Sequence, residues 1–311
     1  MSMKAITLSL NPSYYCNFQC DFCYLTPEQL SDRNRISPER LNDLMFEIPE
    51  IKYLDLYGGE IGVMTPEIYY EYKSVIRRYY HGEINIITNM SMIQDYFFDE
   101  DVYLSVSYDF AAREKHEKVF MNMMMSKVPI AVLILASPQV IAMNVDHMIE
   151  QLNMCSSIES VEIKPYSVNQ ANSHHVTHKQ FEDFVIQWLE SPVKKKFDFI
   201  NKMKIQESLL GEYNAFSDDH VYITPNGKFA VLEFDIHDKE FFLELNSFQE
   251  YIDWANAEKF KLSPICQGCK YVGKCLTEHY RYVTDLNNSC NGYRGLLERY
   301  EGMENPAIRI P

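Results

Sequence analysis

Short apolar stretches recur through the first half of the chain, separated by longer stretches with a helical period. Ala5–Leu10, Lys52–Tyr57, Ile84–Thr88, Val102–Ser107, Ile130–Ala136 and Ser160–Pro165 read as strands, several of them rich in Ile, Val and Leu. Between them, one helix begins after Ser37-Pro38, where serine can cap and proline takes the first helical position. Others cover Pro66–Tyr79, Ala112–Met125 and Val145–Met154. Strand–helix units in succession predict a parallel sheet with right-handed crossovers. Six such strands fall short of a closed barrel, so an α/β fold with an open, partial (β/α)6 TIM-like barrel is expected over residues 1–176. Residues 177–210 read as a mostly helical linker. The period then changes. His220–Thr224 and Lys228–Phe234 flank Pro225-Asn226-Gly227, and Asn-Gly between apolar runs is a hairpin signal. A helical stretch at Glu250–Lys259, a cysteine-rich segment and a short helix at Tyr293–Tyr300 complete a smaller unit over residues 211–311.

Composition narrows the classes open to this fold. The hydrophobic share is 46%, with 14% aromatic residues, enough for a sizeable core. The formal net charge of −15 argues against a general affinity for nucleic-acid backbone or anionic membrane. Lys194-Lys195-Lys196 with Lys202 and Lys204 forms the clear basic cluster, read as a solvated helix face. The N-terminus carries no signal pattern, and no apolar run approaches the ~18–20 residues that span a bilayer, so a cytosolic protein without a membrane partner is expected. In a reducing compartment, clustered cysteines mean metal or catalysis rather than disulfides. Seven of the eight cysteines fall into two clusters, leaving Cys155 alone.

The first cluster is Cys16, Cys20 and Cys23, spaced C-x3-C-x2-C directly after the first strand. A cysteine loop there belongs at the C-terminal mouth of a barrel. Three thiolates are one too few to close a four-iron cluster, which leaves one iron open to a small molecule. Structural zinc wants four protein ligands, and C-x3-C is not the redox-pair spacing. At the end of the second strand stands Gly58-Gly59-Glu60, about 35 residues beyond the cysteine loop. Two glycines let the backbone approach a ligand closely, and the carboxylate beside them can accept hydrogen bonds from a ligand ammonium.

The cysteine triplet, with the aromatic Phe22 before its third member, resembles the radical S-adenosylmethionine (radical SAM) superfamily, as does Gly-Gly-Glu after the second strand. The resemblance implies a 4Fe–4S cluster on Cys16, Cys20 and Cys23, its open iron chelated by SAM, and an electron from a reductant such as flavodoxin or ferredoxin. It implies that Glu60, beside Gly58 and Gly59, holds the SAM amino group. Asn89, Ser107 and Asp109, at later strand ends, match places where relatives touch the SAM ribose and carboxylate; as plain residues, Ser107 and Asp109 can equally cap the next helix. Lys164-Pro165-Tyr166 ends the sixth strand, facing substrate or packing the rim.

Cys266, Cys269, Cys275 and Cys290 read C-x2-C-x5-C-x14-C and resemble the SPASM/twitch extension of many radical SAM enzymes. That resemblance implies one auxiliary 4Fe–4S cluster, with zinc as the competing occupant. The ligands of a further cluster are missing: Leu232 stands where a cysteine is expected, and His279 reads as an outer or surface residue. Cys155 follows a helix, on the side away from the strand C-termini, which disfavours a hydrogen-donor role. Twitch and SPASM enzymes commonly modify peptides or amino-acid-derived molecules by rearrangement, crosslinking or oxidation, so a substrate of that type is expected. Ala5 enters the first strand almost at once, so no leader-binding domain is expected ahead of it. A peptide would add to the exposed edge of the Val221–Phe234 hairpin. The alternative substrate is an amino-acid-decorated, glycine-bearing thymine in phage DNA, which an isomerase of this kind would hold through Lys164 and the basic cluster. A non-enzymatic iron–sulfur or zinc module is a third reading, with which the intact Gly-Gly-Glu does not agree.

Overall fold

The computed structural model describes residues 5–166, 175–211, 220–232, 242–259, 261–276, 290 and 292–304. Ten strands form one sheet: β1 (Ile6–Leu10), β2 (Ile51–Leu56), β3 (Ile84–Thr88), β4 (Val102–Ser107), β5 (Ile130–Leu135), β6 (Ile158–Lys164), β7 (Asp198–Phe199), β8 (His220–Ile223), β9 (Phe229–Leu232) and β10 (Phe242–Leu245). Ten helices accompany them among the described residues: α1 (Pro27–Ser31), α2 (Pro38–Glu47), α3 (Pro66–Ile76), α4 (His116–Met124), α5 (Pro138–Ile141), α6 (Val145–Asn153), α7 (His178–Glu190), α8 (Ile200–Leu210), α9 (Phe248–Trp254) and α10 (Arg294–Glu304). Strands β1 to β6 pair in parallel in chain order, as successive right-handed βα units require. The ends of the sheet are β10 and β7, so the barrel is partial and open.

Alternation along each strand divides two environments. Leu8, Leu10, Leu54, Leu56, Ile84 and Ile86 are buried in the main core together with side chains of α2 and α3. The opposite face carries polar residues that satisfy one another. Ser105 Oγ donates to Asn85 Oδ1 at 2.8 Å, Asn85 Nδ2 to Asp55 Oδ1 at 2.8 Å, and Ser9 Oγ to Asp55 Oδ2 at 3.4 Å. His220 Nε2 lies 2.7 Å from Ser9 Oγ, closing a row that runs from β4 to β8. A hydrogen-bonded polar lumen, rather than the branched apolar filling of a closed barrel, leaves the interior suited to a polar ligand.

Three departures from the expected elements have local causes. The 177–210 stretch is not continuously helical: α7 ends at Ser191-Pro192, and Asp198–Phe199 adds β7 to β6 before α8 starts. Beyond β7 the side chain of Asn201 continues the ladder, with Oδ1 accepting from Ile163 N at 2.7 Å and Nδ2 donating to Ile163 O at 2.9 Å. The hairpin has no free edge: β8 lies parallel to β1 and β9 pairs with β10, so the sheet edge falls to β10. The helix expected from Ala112 begins at His116, because Phe110–Ala112 forms a separate 3-10 turn. Where turn and cap chemistry was explicit, expectation and structure agree. Ser37 Oγ accepts from Arg40 N ahead of Pro38, and Gly227 takes the left-handed φ of +69° at the hairpin tip.

Candidate active site

The cysteine loop leaves β1 and lies against the end of β2. Gly59 N donates to Ser13 O at 3.0 Å and Glu60 N to Tyr15 O at 2.9 Å. The glycines are needed for this contact: a Cβ on Gly59 would stand 2.2 Å from Tyr14 O, and one on Gly58, at φ +154°, 2.4 Å from Ser13 O. The close approach expected toward a ligand is therefore made, first of all, to the cysteine loop.

Cys16, Cys20 and Cys23 are half-buried and mutually close enough for each charge to bear on the others. Each sulfur accepts a hydrogen bond. Phe18 N donates to Cys16 at 3.4 Å, Leu25 N to Cys23 at 3.4 Å, and Arg113 Nη1 to Cys20 at 3.7 Å. Burial pushes the Cys16 thiol up to about 12 and the Cys20 thiol up to about 11, although the Arg113 guanidinium pulls Cys20 back down. Thiols this reluctant to ionise are poor nucleophiles at neutral pH, whereas a bound metal deprotonates them outright. Three soft donors on one loop, each with a hydrogen-bond donor of its own, suit an iron–sulfur cluster.

Glu60 is buried and its carboxylate joins the ends of β2 and β3. Oε1 accepts from Gly62 N at 2.6 Å and Thr88 Oγ1 at 2.5 Å, and Oε2 from Asn89 N at 2.6 Å. Burial raises its pKa against the pull of these donors. A carboxylate has about four acceptor positions, so one remains on Oε2. Asn89 reaches the cysteine loop, with Nδ2 donating to Asn17 Oδ1 at 3.0 Å and lying 3.9 Å from Cys16 Sγ. Ser107 is half-buried at the end of β4. Phe22 is buried against Tyr166 and Val176, which makes Tyr166 a rim-packing residue. Lys164 pairs with Glu162 at 2.9 Å. Asn11, at the end of β1, buries both amide atoms without a partner among the described residues, beside Gly58. Buried orphans of this kind point to an absent partner such as a ligand or a water.

Asp109 is 1% exposed and does not stand free for a ligand: Oδ1 accepts from Leu135 N at 2.6 Å, and Oδ2 accepts from Arg113 Nε and Nη2 at 2.9 and 2.5 Å. Arg113, like Asn11, is a site residue that sequence reading missed. Its signal was present in the Asp109–Arg113 i,i+4 spacing, which normally marks a solvated helix pair.

The C-terminal thiols lie near enough to one another for the other three to bear on Cys266. Cys266, Cys275 and Cys290 are buried and Cys269 is half-buried; burial and then the other three sulfurs push Cys266 up to about 11. Gly292 lets the chain pass: a Cβ there would stand 3.2 Å from Cys275 Sγ and 3.6 Å from Cys290 Sγ. The segment is docked by α10 on α7, with Arg299 Nη1 2.6 Å from Asp183 Oδ1, and by Ser208 Oγ of α8 donating to Lys274 O. Among the described residues, no three His, Cys, Asp or Glu converge closely enough to hold a single metal ion. Cys155 is buried in the turn between α6 and β6, 3.1 Å from Ser157 Oγ, at the sheet end opposite the cysteine loop. His279 lies outside the described residues, as does the side chain of Leu232.

No protein-family model and no curated protein matches the sequence. Solved structures match the fold. Native anSMEcpe with bound AdoMet (S-adenosylmethionine) and Cp18Cys peptide superposes with a TM-score of 0.65 at 14% identity, over 99% of this chain and 100% of that chain. SuiB from Streptococcus suis bound to the precursor peptide SuiA gives 0.62 at 13% identity, over 89% and 72%. SuiB bound to S-adenosylmethionine gives 0.62 at 13% identity, over 89% and 73%. This chain shares the fold of these S-adenosylmethionine- and peptide-bound structures.

Proposed function

We propose that this chain is a radical SAM enzyme acting on a peptide or amino-acid-type substrate. The observation that carries the reading is the convergence of three hydrogen-bonded thiols, Glu60 and Asn89 at the C-terminal mouth of a partial barrel. Cys16, Cys20 and Cys23 would hold a 4Fe–4S cluster. When bound and reduced, such a cluster would supply the single electron for reductive cleavage of SAM, the chemistry that would let the site take a hydrogen atom from a substrate C–H.

The chain's own residues bind and shield. The remaining acceptor on Glu60 Oε2 is suited to the SAM ammonium, a charge-assisted bond worth roughly 1.5–3 kcal/mol. Asn11 beside Gly58 and Ser107 at the end of β4 offer further polar contacts to SAM. Phe22 and Tyr166 close the rim against water. The lumen row from Ser105 to His220 is built for a polar substrate, in keeping with the peptide complexes in which the similar folds occur. Cys266, Cys269, Cys275 and Cys290 would hold an auxiliary cluster with no open iron, fit for electron transfer or support. The first electron comes from a flavodoxin- or ferredoxin-type donor.

Anaerobic reconstitution tests this. The protein should hold about eight irons, and about four after Cys16, Cys20 and Cys23 are changed to Ala. Reduced wild type should convert SAM to 5′-deoxyadenosine. Stoichiometric zinc at the C-terminal thiols would remove the auxiliary cluster, and intact SAM under reducing conditions would remove the enzyme reading.

A further inference from the structure

The guanidinium of Arg113 is held against the cysteine loop with unusual firmness. Its Nη1 meets Cys20 Sγ at 3.7 Å and its carbon stands 5.4 Å from the centroid of the Phe22 ring. Nε and Nη2 are taken by Asp109 Oδ2, and Asp109 is itself pinned by Leu135 N. Arg113 and Asp109 side chains are 12% and 1% exposed, so neither charge is much screened by water. Other charges near the loop are placed differently. Lys115 lies over the Phe18 ring at 5.2 Å, Glu114 accepts from Gln19 N at 3.1 Å, and Glu60 is turned toward β3.

A cluster held by three thiolates becomes more negative when it gains an electron. A fixed cation against one sulfur stabilises that reduced state, and a carboxylate behind the cation withdraws part of the effect. We propose that the Arg113–Asp109 pair sets the reduction potential of the cluster assigned to Cys16, Cys20 and Cys23, with Arg113 raising it and Asp109 holding it down. The inference rests on the radical SAM reading above. One electron from a low-potential donor enters the cluster, and no bond is made or broken at Arg113, which acts as a positioning residue.

The test is a mediated dithionite titration of the reconstituted full chain without SAM, followed by the electron paramagnetic resonance of the reduced cluster. The signal of the auxiliary cluster assigned to the C-terminal thiols serves as an internal reference. Arg113→Gln should shift the one-electron equilibrium about tenfold against reduction, ~59 mV. Asp109→Asn should shift it the other way, and Arg113→Lys should fall between wild type and Arg113→Gln. Fully iron-loaded variants with unchanged potentials overturn the proposal, even if SAM affinity falls. If Arg113→Gln takes up no iron, the upward shift in Asp109→Asn and a downward shift from wild type in Arg113→Lys decide. A wild type with no reducible cluster at the N-terminal thiols sinks the radical SAM reading itself.

Discussion

At the scale of single residues, Gly59 and Glu60 do two jobs that their motif suggests as one. Gly59 has no Cβ because the carbonyls of Tyr14 and Tyr15 occupy that space, at 2.2 and 2.1 Å from where it would stand. Gly59→Ala must push the cysteine loop off β2. We expect a loss of about 1–3 kcal/mol in urea unfolding together with reduced iron uptake, and an unchanged unfolding midpoint would refute the contact. Glu60→Gln replaces an acceptor by an NH2 facing N–H or O–H donors. The metal-free protein should lose about 1–3 kcal/mol, and the reconstituted one should bind SAM at least tenfold more weakly with its iron unchanged. Equilibrium dialysis and urea titration separate the two effects, and full SAM affinity in the variant would take Glu60 out of the site. That the thiols, the glycines and Glu60 lie together was legible in the sequence, because each stands just past the end of a parallel strand. Arg113 was not, since an i,i+4 pair gives no hint that the strand end it follows turns both charges inward.

At the scale of elements, the parallel strands were legible because each is a short stretch in which Ile, Val or Leu recur at alternate positions, flanked by turns. β7 was hidden because two residues carry no period, and the ladder beyond it is completed by a side chain, Asn201. α8 is held on β6 by a second device. Glu162 accepts from Lys204 at 2.5 Å and pairs with Lys164 at 2.9 Å. Burial alone would raise its pKa, but the two lysines outweigh burial and hold it at about 2, below the ordinary 4.5. A depressed carboxylate stabilises the fold above its unfolded pKa and loses that contribution as the pH falls through its folded one. Glu162→Gln should therefore cost about 1–2 kcal/mol near pH 7, discounted for the partly exposed lysines. The gap from wild type should close between about pH 4.5 and about pH 2, as the Glu162 carboxylate takes up its proton. A gap independent of pH in urea titrations across that range would show that the ion pair is not what holds α8.

At the scale of the whole molecule, substrate class turns on charge. With a net charge of −15, DNA binding would need a continuous basic groove at the mouth of the barrel. The six candidate lysines do not form one. Lys194, Lys195 and Lys196 lie in the connection between α7 and β7 rather than on a helix face, and Lys196 is tied by Asn153 at the end of α6. Since α6 leads into β6, that position is the sheet end opposite the cysteine loop. Lys164 and Lys204 are both spent on Glu162. Backbone phosphates would meet no aligned row of free ammonium groups there. We therefore expect duplex DNA to bind weakly at about 50 mM salt, no better than to a variant with Lys164, Lys194, Lys195, Lys196, Lys202 and Lys204 changed to Gln. Tight binding that falls steeply toward about 200 mM salt and disappears in the variant would reverse the assignment in favour of a DNA-borne substrate. A peptide entering the lumen gains from the Ser105-to-His220 row and from uncharged hydrogen bonds, so its affinity should change little over the same range of salt.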